Sequence, residues 1–412
     1  MSHDTETLTG EGKPAAGRLW SGNFKLYLTA RSGSMLGDAM LPVALSIAVL
    51  AAGHGIDGVG YALGAWMGAL ALFMLFGGVL ADRFTPRRMM IIADLVRLVV
   101  QGGMAVAFAV GTPSLPTIVV LQFLSGAATA LFQPGVASMV PQVAEDVQGA
   151  NGILRISEAI SGVLGPALAG VLVAVAGTGT VFGIYAATYG ISALCLFALR
   201  LTPVKSTEDS EPSFWRQLVE GWREFAARGW LWGVIAIHLV YGCFVAGVSL
   251  PVGADLVVSD YGSTALGIGM AAFGAGGVAG GAVAMRVRPG RPLLSGAIGW
   301  ALFALYPITP AVGLPVALLV AGWTLAGFGL AYWGVLWSTT VQTQIPAELL
   351  NRVYAYDVSG SLLALVLGRS LAGPMASLFG ARPLMILATV LGLVCTVLLL
   401  AVRSIRDLRS AQ

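Results

Sequence analysis

Three pairs of charged residues stand inside otherwise apolar stretches of this 412-residue chain: Arg31 with Asp38, Asp94 with Arg97, and Arg155 with Glu158. His238, Asp357 and Arg369 stand in apolar stretches without such a neighbour. A buried carboxylate or imidazole can take up and release a proton, and a buried guanidinium can hold an anion, so each is a functional candidate by position. Arg31 and Asp38 are seven apart and share a helical face. Asp38 lies fifteen residues past Asn23, about 22 Å along a helix. The other two pairs are spaced i, i+3, which suits a self-neutralising ion pair near the inner membrane interface. Asp94 and Arg97 are read that way, whereas for Glu158 pairing and a working role stay open. His238 has the chemistry to titrate near neutrality, with packing as the plainer reading. Asp357 and Arg369 are twelve apart, too far to pair, and Arg369 is a candidate to neutralise an acid or an anionic substrate.

The elements that carry these residues follow from composition. The chain is 57% hydrophobic and 10% charged, against about 25% charged in soluble domains. Apolar runs of roughly 20 residues, long enough to cross a bilayer as helices, recur throughout. Hydropathy with Gly, Pro and charge punctuation gives twelve spans. The first six are near 24–52, 59–81, 89–111, 114–139, 153–176 and 181–200; the second six are near 230–254, 264–286, 294–311, 314–341, 354–378 and 381–402. Residues 1–21 read as a polar, disordered cytoplasmic tail with no cleavable signal peptide, 22–200 and 230–403 as two six-helix bundles, and 404–412 as a cytoplasmic tail. The linker 201–229 ends in "SFWRQLVEGWREFAAR", which has the pattern of an amphipathic helix on the inner membrane surface. With the N-terminus inside, every arginine and lysine outside the spans or at their ends falls in an inside segment except Arg382, which predicts cytoplasmic termini. Cys195, Cys243 and Cys395 each sit alone in an apolar run, as packing residues do.

The halves repeat. "GGVLADRFTPRR" (77–88) aligns with "GGAVAMRVRPGR" (280–291), and "LGPALAG" (164–170) with "LGRSLAG" (367–373), both at an offset of 203. A duplicated six-helix unit is one recognised transporter architecture. Met285 stands where the first copy has Asp82, so the turn does not need the acid. No lysine lies in a phosphate-cradling GxxxxGK[ST] loop, which excludes ATP hydrolysis by this chain. "GAGGVA" (274–279) imitates a dinucleotide fingerprint but lies inside an apolar span with no preceding strand, so close helix packing is the better reading. No nucleophile–base or metal constellation points to an enzyme.

These motifs resemble those of the major facilitator superfamily over about 22–403. Gly78, Asp82, Arg83, Arg87 and Arg88 match its signature between the second and third helices, with Thr85 at the usual glycine. "GVLGPALAG", with Gly162, Gly165, Pro166 and Gly170, resembles its antiporter signature in the fifth helix; Pro166 also predicts a kink. Gln122 stands where an arginine is typical of the fourth helix. "ALFQPGVASMVPQ" and "QTQIPAELLNRVYAYD" resemble the enterobactin-exporter-like branch of drug and siderophore efflux proteins. The resemblance implies a proton-coupled exporter of an amphipathic small molecule working by alternating access between two bundles. Asp38 and Glu158 are the candidate proton carriers. Asp82, Arg83 and Asp357 are candidate gate residues, because the resemblance places the 82–88 loop beside the start of the eleventh span. Arg31, Gln122, His238 and Arg369 are candidates for the substrate cavity, as are the aromatics Trp323, Tyr332, Trp333 and Trp337, for which packing is an equal reading. The expected partners are a small-molecule substrate, protons and the bilayer, with a monomer as the working unit and no cofactor, metal or nucleic acid. An importer or uniporter on the same fold, or a non-transporting scaffold or receptor, is the alternative.

Overall fold

The computed structural model describes residues 19–201, 223 and 226–410, with backbone alone for Ile56, Leu75, Gly78, Val79, Ala81, Asp82, Arg83, Ser263 and Glu348. The tail 1–18 and nearly all of the expected amphipathic helix lie outside the described residues. The described chain is helical throughout: α1 (Gly22–Ala51), α2 (Gly55–Phe84), α3 (Pro86–Val110) and α4 (Leu115–Val143), then a 52-residue stretch, Val147–Ala198. Gly177, at φ 80°, leaves helical geometry inside that stretch and divides it into α5 (147–176) and α6 (178–198). The second half comprises α7 (Gly229–Tyr261), α8 (Ser263–Arg286), α9 (Pro292–Ala311), α10 (Val316–Gln344), α11 (Ala347–Phe379) and α12 (Ala381–Ala401). A π-turn at Gly242–Ala246 interrupts α7. Every span expected from hydropathy is present; α11 begins earlier and α7 ends later than hydropathy alone suggests.

Local chemistry sets the ends. The Ser21 hydroxyl accepts from the Phe24 N–H at 2.9 Å, and the Asp146 carboxylate accepts from the Gly149 N–H at 3.0 Å, each filling an orphan donor at a helix start. Between α2 and α3 the chain turns on Thr85 at φ 65°, with Pro86 opening α3. A β-branched residue is strained there, which explains why a glycine is usual in the sequences this loop resembles. Proline inside α5 has no comparable effect: Gly177, and not Pro166, is where φ/ψ departs from helical values.

Lipid offers helices no hydrophobic reason to associate, so contact depends on small residues that let backbones approach. A Cβ on Gly77 of α2 would lie 2.6 Å from the Ala130 carbonyl oxygen of α4, and one on Gly276 of α8 would run into the Thr324 carbonyl of α10. The "GAGGVA" stretch is thus a packing face, as its setting implies. The duplication reappears in contacts. Gly165 of α5 packs against Met40 of α1, and Gly368 of α11 against Cys243 of α7. Both members are shifted by 203 (368 − 165 and 243 − 40).

α1–α6 and α7–α12 form the two bundles, which meet where α5 packs on α8 and α2 on α11. Helix ends carrying Arg87, Arg200, Arg286, Arg288, Arg291 and Arg403 gather on one side, the basic face. There the bundles are laced together. Asn151 donates to Thr339 at 3.0 Å and Gln342 at 2.7 Å, Gln148 donates to the Ala284 and Val287 carbonyls at 2.5 and 2.6 Å, and Arg288 donates to Asp146 at 2.6 Å. Toward the far face, a Cβ on Gly60, Gly64 or Gly68 of α2, Gly170 of α5 or Gly373 of α11 would meet open space.

Candidate functional site

The densest polar cluster lies inside the first bundle. Asp38 of α1 meets Tyr185 and Tyr189 of α6, one helical turn apart, and Arg97 of α3. The Asp38 Oδ1 accepts from the Tyr189 hydroxyl at 2.6 Å and the Tyr185 hydroxyl at 3.2 Å, and the two hydroxyls are 2.6 Å apart.

Arg97 is wholly buried and hydrogen-bonds Asp94, whose other oxygen accepts from Ser192 at 2.6 Å. An Arg97 Nη1 also lies 3.9 Å from the Asp38 Oδ1. The rings of Tyr189 and Phe132 cover the guanidinium at 4.2 and 4.5 Å, taking up charge that its unpaired Nε and Nη1 do not share with acceptors. Two carboxylates and one guanidinium sum to −1, so one proton brings the cluster to neutrality. Asp94 is sealed, whereas the Asp38 side chain is 22% exposed.

The expectation for Asp94 and Arg97 needs correcting in one respect. They do pair, but Arg97 is eleven residues past Pro86, about 16 Å into the layer, and the pair is joined by Asp38. The cluster therefore sits at mid-depth and not at the inner interface. Tyr185, Tyr189 and Ser192 had no place among the candidates; their signal was a run of four hydroxyl side chains, with Thr188, within eight residues of an apolar span.

The duplicated positions show what the fold itself requires. Adding 203 converts Asp38, Asp94 and Arg97 into Tyr241, Ala297 and Trp300. Tyr241 and Trp300 pack together, tilted by 37° with ring centroids 4.0 Å apart. The same packing position is satisfied by aromatic rings in one bundle and by charges in the other, so the charges are not there to build the bundle.

A second layer lies between the bundles. Arg155 donates to Glu158 at 2.7 Å, and Glu158 is 54% exposed although eleven residues in from Val147. Arg155 lies against Gly334 of α10. Asp357 of α11 accepts from the Trp337 indole at 2.9 Å. Tyr354 lies within electrostatic reach of Arg31, Arg155, Glu158 and Asp357. Asp357 is thus ten residues into α11 and held by Trp337; the side chains of Asp82 and Arg83, its expected neighbours, are outside the described residues.

The remaining candidates are not brought together. Gln122 is buried in the first bundle with neither amide atom hydrogen-bonded. His238 lies inside the second, its Nε2 accepting from the Trp333 indole at 3.0 Å beside the Trp300 and Trp337 rings. Arg369 is exposed on the far half of α11. Trp323, Tyr332, Trp333 and Trp337 are buried, so packing is the reading the structure supports for them. Of the loop arginines, Arg87 donates to the Leu196 and Phe197 carbonyls at 2.9 and 2.5 Å and so closes the end of α6, while Arg88 is exposed. Gly165 makes the close contact with α1, whereas Gly162 and Gly170 face open space. Among the described residues no three His, Cys, Asp or Glu side chains cluster as metal ligands would.

Two bundles of six spans, a duplicated unit and charges at the level of the gap between them define a secondary transporter. The sequence pattern of the Major Facilitator Superfamily matches residues 28–356, and the chain belongs to that family. It is 26% identical over 371 residues to the enterobactin exporter EntS of Salmonella choleraesuis, covering 86% of each chain. To the enterobactin exporter EntS of Escherichia coli it is 25% identical over 369 residues, covering 86% of this chain and 85% of that one. Among solved structures it is similar to the human organic anion transporter MFSD10 (TETRAN), with a TM-score of 0.75 and 15% identity over 92% of this chain and 100% of that one. It is also similar to the E. coli fucose:proton symporter FucP, with a TM-score of 0.69 and 12% identity over 91% and 96%. At such identities the structural likeness is one of fold. The chain is a multi-pass membrane transporter and not an enzyme.

Proposed function

We propose that the chain exports an amphipathic small molecule in exchange for protons, with its basic face and termini in the cytoplasm and Asp38 as the proton carrier. The observation that carries this reading is the Asp38–Arg97–Asp94 cluster, present in one bundle and replaced by apolar and aromatic residues in the other. The orientation rests on the gathering of arginines on one face, and the direction of transport on the similarity to exporters. With the laced face taken as the inner one, the arrangement is read as outward-facing, and the 22% exposure of the Asp38 side chain supports its access to protons.

The coupling follows from charge. At 3.9 Å and an effective dielectric of about 20, Arg97 and Asp38 attract by about 4 kcal/mol. Protonation removes that attraction, leaves Arg97 fully compensated by Asp94, and makes the cluster neutral and easier to seal from water. Proton uptake from outside would then permit closure of the outer side and unlacing of the basic face. Release of the proton inward and binding of substrate would return the bundles to the outward-facing state. Proton binding drives the cycle only because it favours one state over the other.

Reconstituted vesicles test this with ethidium, dansylamide and dansylglycine as probes and an imposed pH gradient. Asp38→Asn should abolish gradient-driven flux while exchange of probe at equal pH persists; Glu158→Gln should keep gradient-driven flux. Normal gradient-driven flux in Asp38→Asn would reject Asp38, and its loss in Glu158→Gln alone would transfer the role to Glu158.

A further inference from the structure

Among the described residues, every buried charged side chain but one has a carboxylate or hydrogen-bond partner within its layer; Arg369, also without one, is exposed on the far half of α11. Arg97 has Asp94, Arg155 has Glu158, and Asp357 has Trp337. Arg31 is the exception. It is 9% exposed, its Nε is sealed without an acceptor, and among the described residues its guanidinium donates no hydrogen bond and touches no carboxylate. The Phe132 ring lies 5.5 Å from the guanidinium carbon. Arg31 sits nine residues past Gly22, about 14 Å into the layer, near Tyr354 of the opposite bundle.

The fold does not demand a cation there. The duplicated position (31 + 203) is Val234, fully buried. A guanidinium held in an apolar layer without a counterion is costly, and the cost is relieved by a ligand that brings one. The fork of N–H donors matches the planar oxygen pair of a carboxylate, or the oxygens of a sulfonate, better than it matches a neutral acceptor.

We propose that Arg31 is the docking group for an organic anion, so that the transported molecule is an amphipath bearing a carboxylate or similar anionic group that enters between Arg31 of α1 and Tyr354 of α11. This rests on the reading of the chain as an alternating-access transporter, but it concerns what binds and not what drives the cycle. The proton cluster and the anion site are separate groups of residues, joined only where Phe132 lies between Arg31 and Arg97.

Binding of three probes with one ring system separates charge from shape: dansylglycine (anionic), dansylamide (neutral) and dansylcholine (cationic), each titrated onto the full-length protein in phosphatidylcholine nanodiscs so that no anionic lipid competes. Wild type should bind dansylglycine about tenfold or more tighter than dansylamide, as a desolvated hydrogen-bonded charge pair implies. Arg31→Val, which installs the residue of the second copy, should lose that preference while its dansylamide affinity stays within about twofold and its melting temperature does not fall. Arg31→Lys should keep part of the preference. Equal binding of the anionic and neutral probes by wild type, no binding of any probe, or an unchanged preference in Arg31→Val would overturn the proposal. An unstable Arg31→Val protein whose Arg31→Lys counterpart is stable yet shows no preference would overturn it as well. Gradient-driven flux keeps the two readings apart: its absence in wild type alongside Arg31-dependent dansylglycine binding defeats the proton coupling alone, and normal flux with charge-blind binding defeats the anion site alone.

Discussion

Asn151→Ala should open the basic face. The Asn151 amide is nearly sealed and gives both its hydrogens to the opposite bundle, to Thr339 at 3.0 Å and Gln342 at 2.7 Å. Neutral hydrogen bonds contribute about 0.5–1.5 kcal/mol each, so losing both removes about 1–3 kcal/mol from the closed arrangement. Because the bonds cannot exist once the bundles separate there, the whole of that loss falls on one side of the equilibrium. The ratio of closed to open protein should therefore drop by about 5–150-fold. Spin labels report it, placed on a background without the three native cysteines. One pair, at Lys25 and Thr343, spans the basic face; another, at Gly111 and Thr264, spans the far face. In the variant the first pair should gain a longer-distance population and the second a shorter one. Asn23→Ala is the control, since Asn23 also makes two hydrogen bonds, with Arg200, but inside a single bundle. The reasoning fails if both distance distributions in Asn151→Ala match wild type, or if Asn23→Ala shifts them equally.

Thr85→Gly should stabilise the protein by about 1 kcal/mol, because it relieves a positive φ on a β-branched residue; thermal unfolding in detergent measures it, and a loss of stability would mean the turn is set by the threonine side chain. Arg97→Gln should cost about 3–5 kcal/mol by leaving Asp94 buried without its cation, and adding Asp94→Asn should recover part of that loss, which a double-mutant cycle reads directly. Gly165→Ala should destabilise by about 1–3 kcal/mol, since its Cβ would lie 2.6 Å from that of Ala39. Gly170→Ala, with nothing within 4 Å, should be neutral or slightly stabilising; equal effects at the two positions would refute the packing argument.

The membrane class, the twelve spans and the duplication were legible in the order of residues. Hydropathy is a local property summed over about 20 neighbours, and nothing distant alters it. The same holds for the list of ionisable residues that apolar runs carry, among them Asp38, Arg31 and Glu158. Turn chemistry was legible too: the position usually occupied by glycine is the one that Thr85 fills at positive φ.

Which of those residues meet was decided by the tertiary structure. Spacing along α3 shows Asp94 beside Arg97, yet only the packing of α1, α3 and α6 adds Asp38, Tyr185, Tyr189 and Ser192 and turns a self-neutral pair into a cluster with room for a proton. The seven-residue spacing puts Arg31 and Asp38 on one face of α1, but the neighbours give them opposite fates: Asp38 is surrounded by donors, and Arg31 finds an aromatic ring and no acceptor. The tryptophans that composition offers equally to a cavity or a core are placed in the core by contacts such as Tyr306 on Trp323. Even the duplicated glycines at 165 and 368 show a repeat in sequence, while the partners Met40 and Cys243 appear only once the helices cross. A helix dictates its own periodicity through backbone geometry. Contacts between helices depend on which small residues let two backbones approach, and that is a property of pairs distant in the chain.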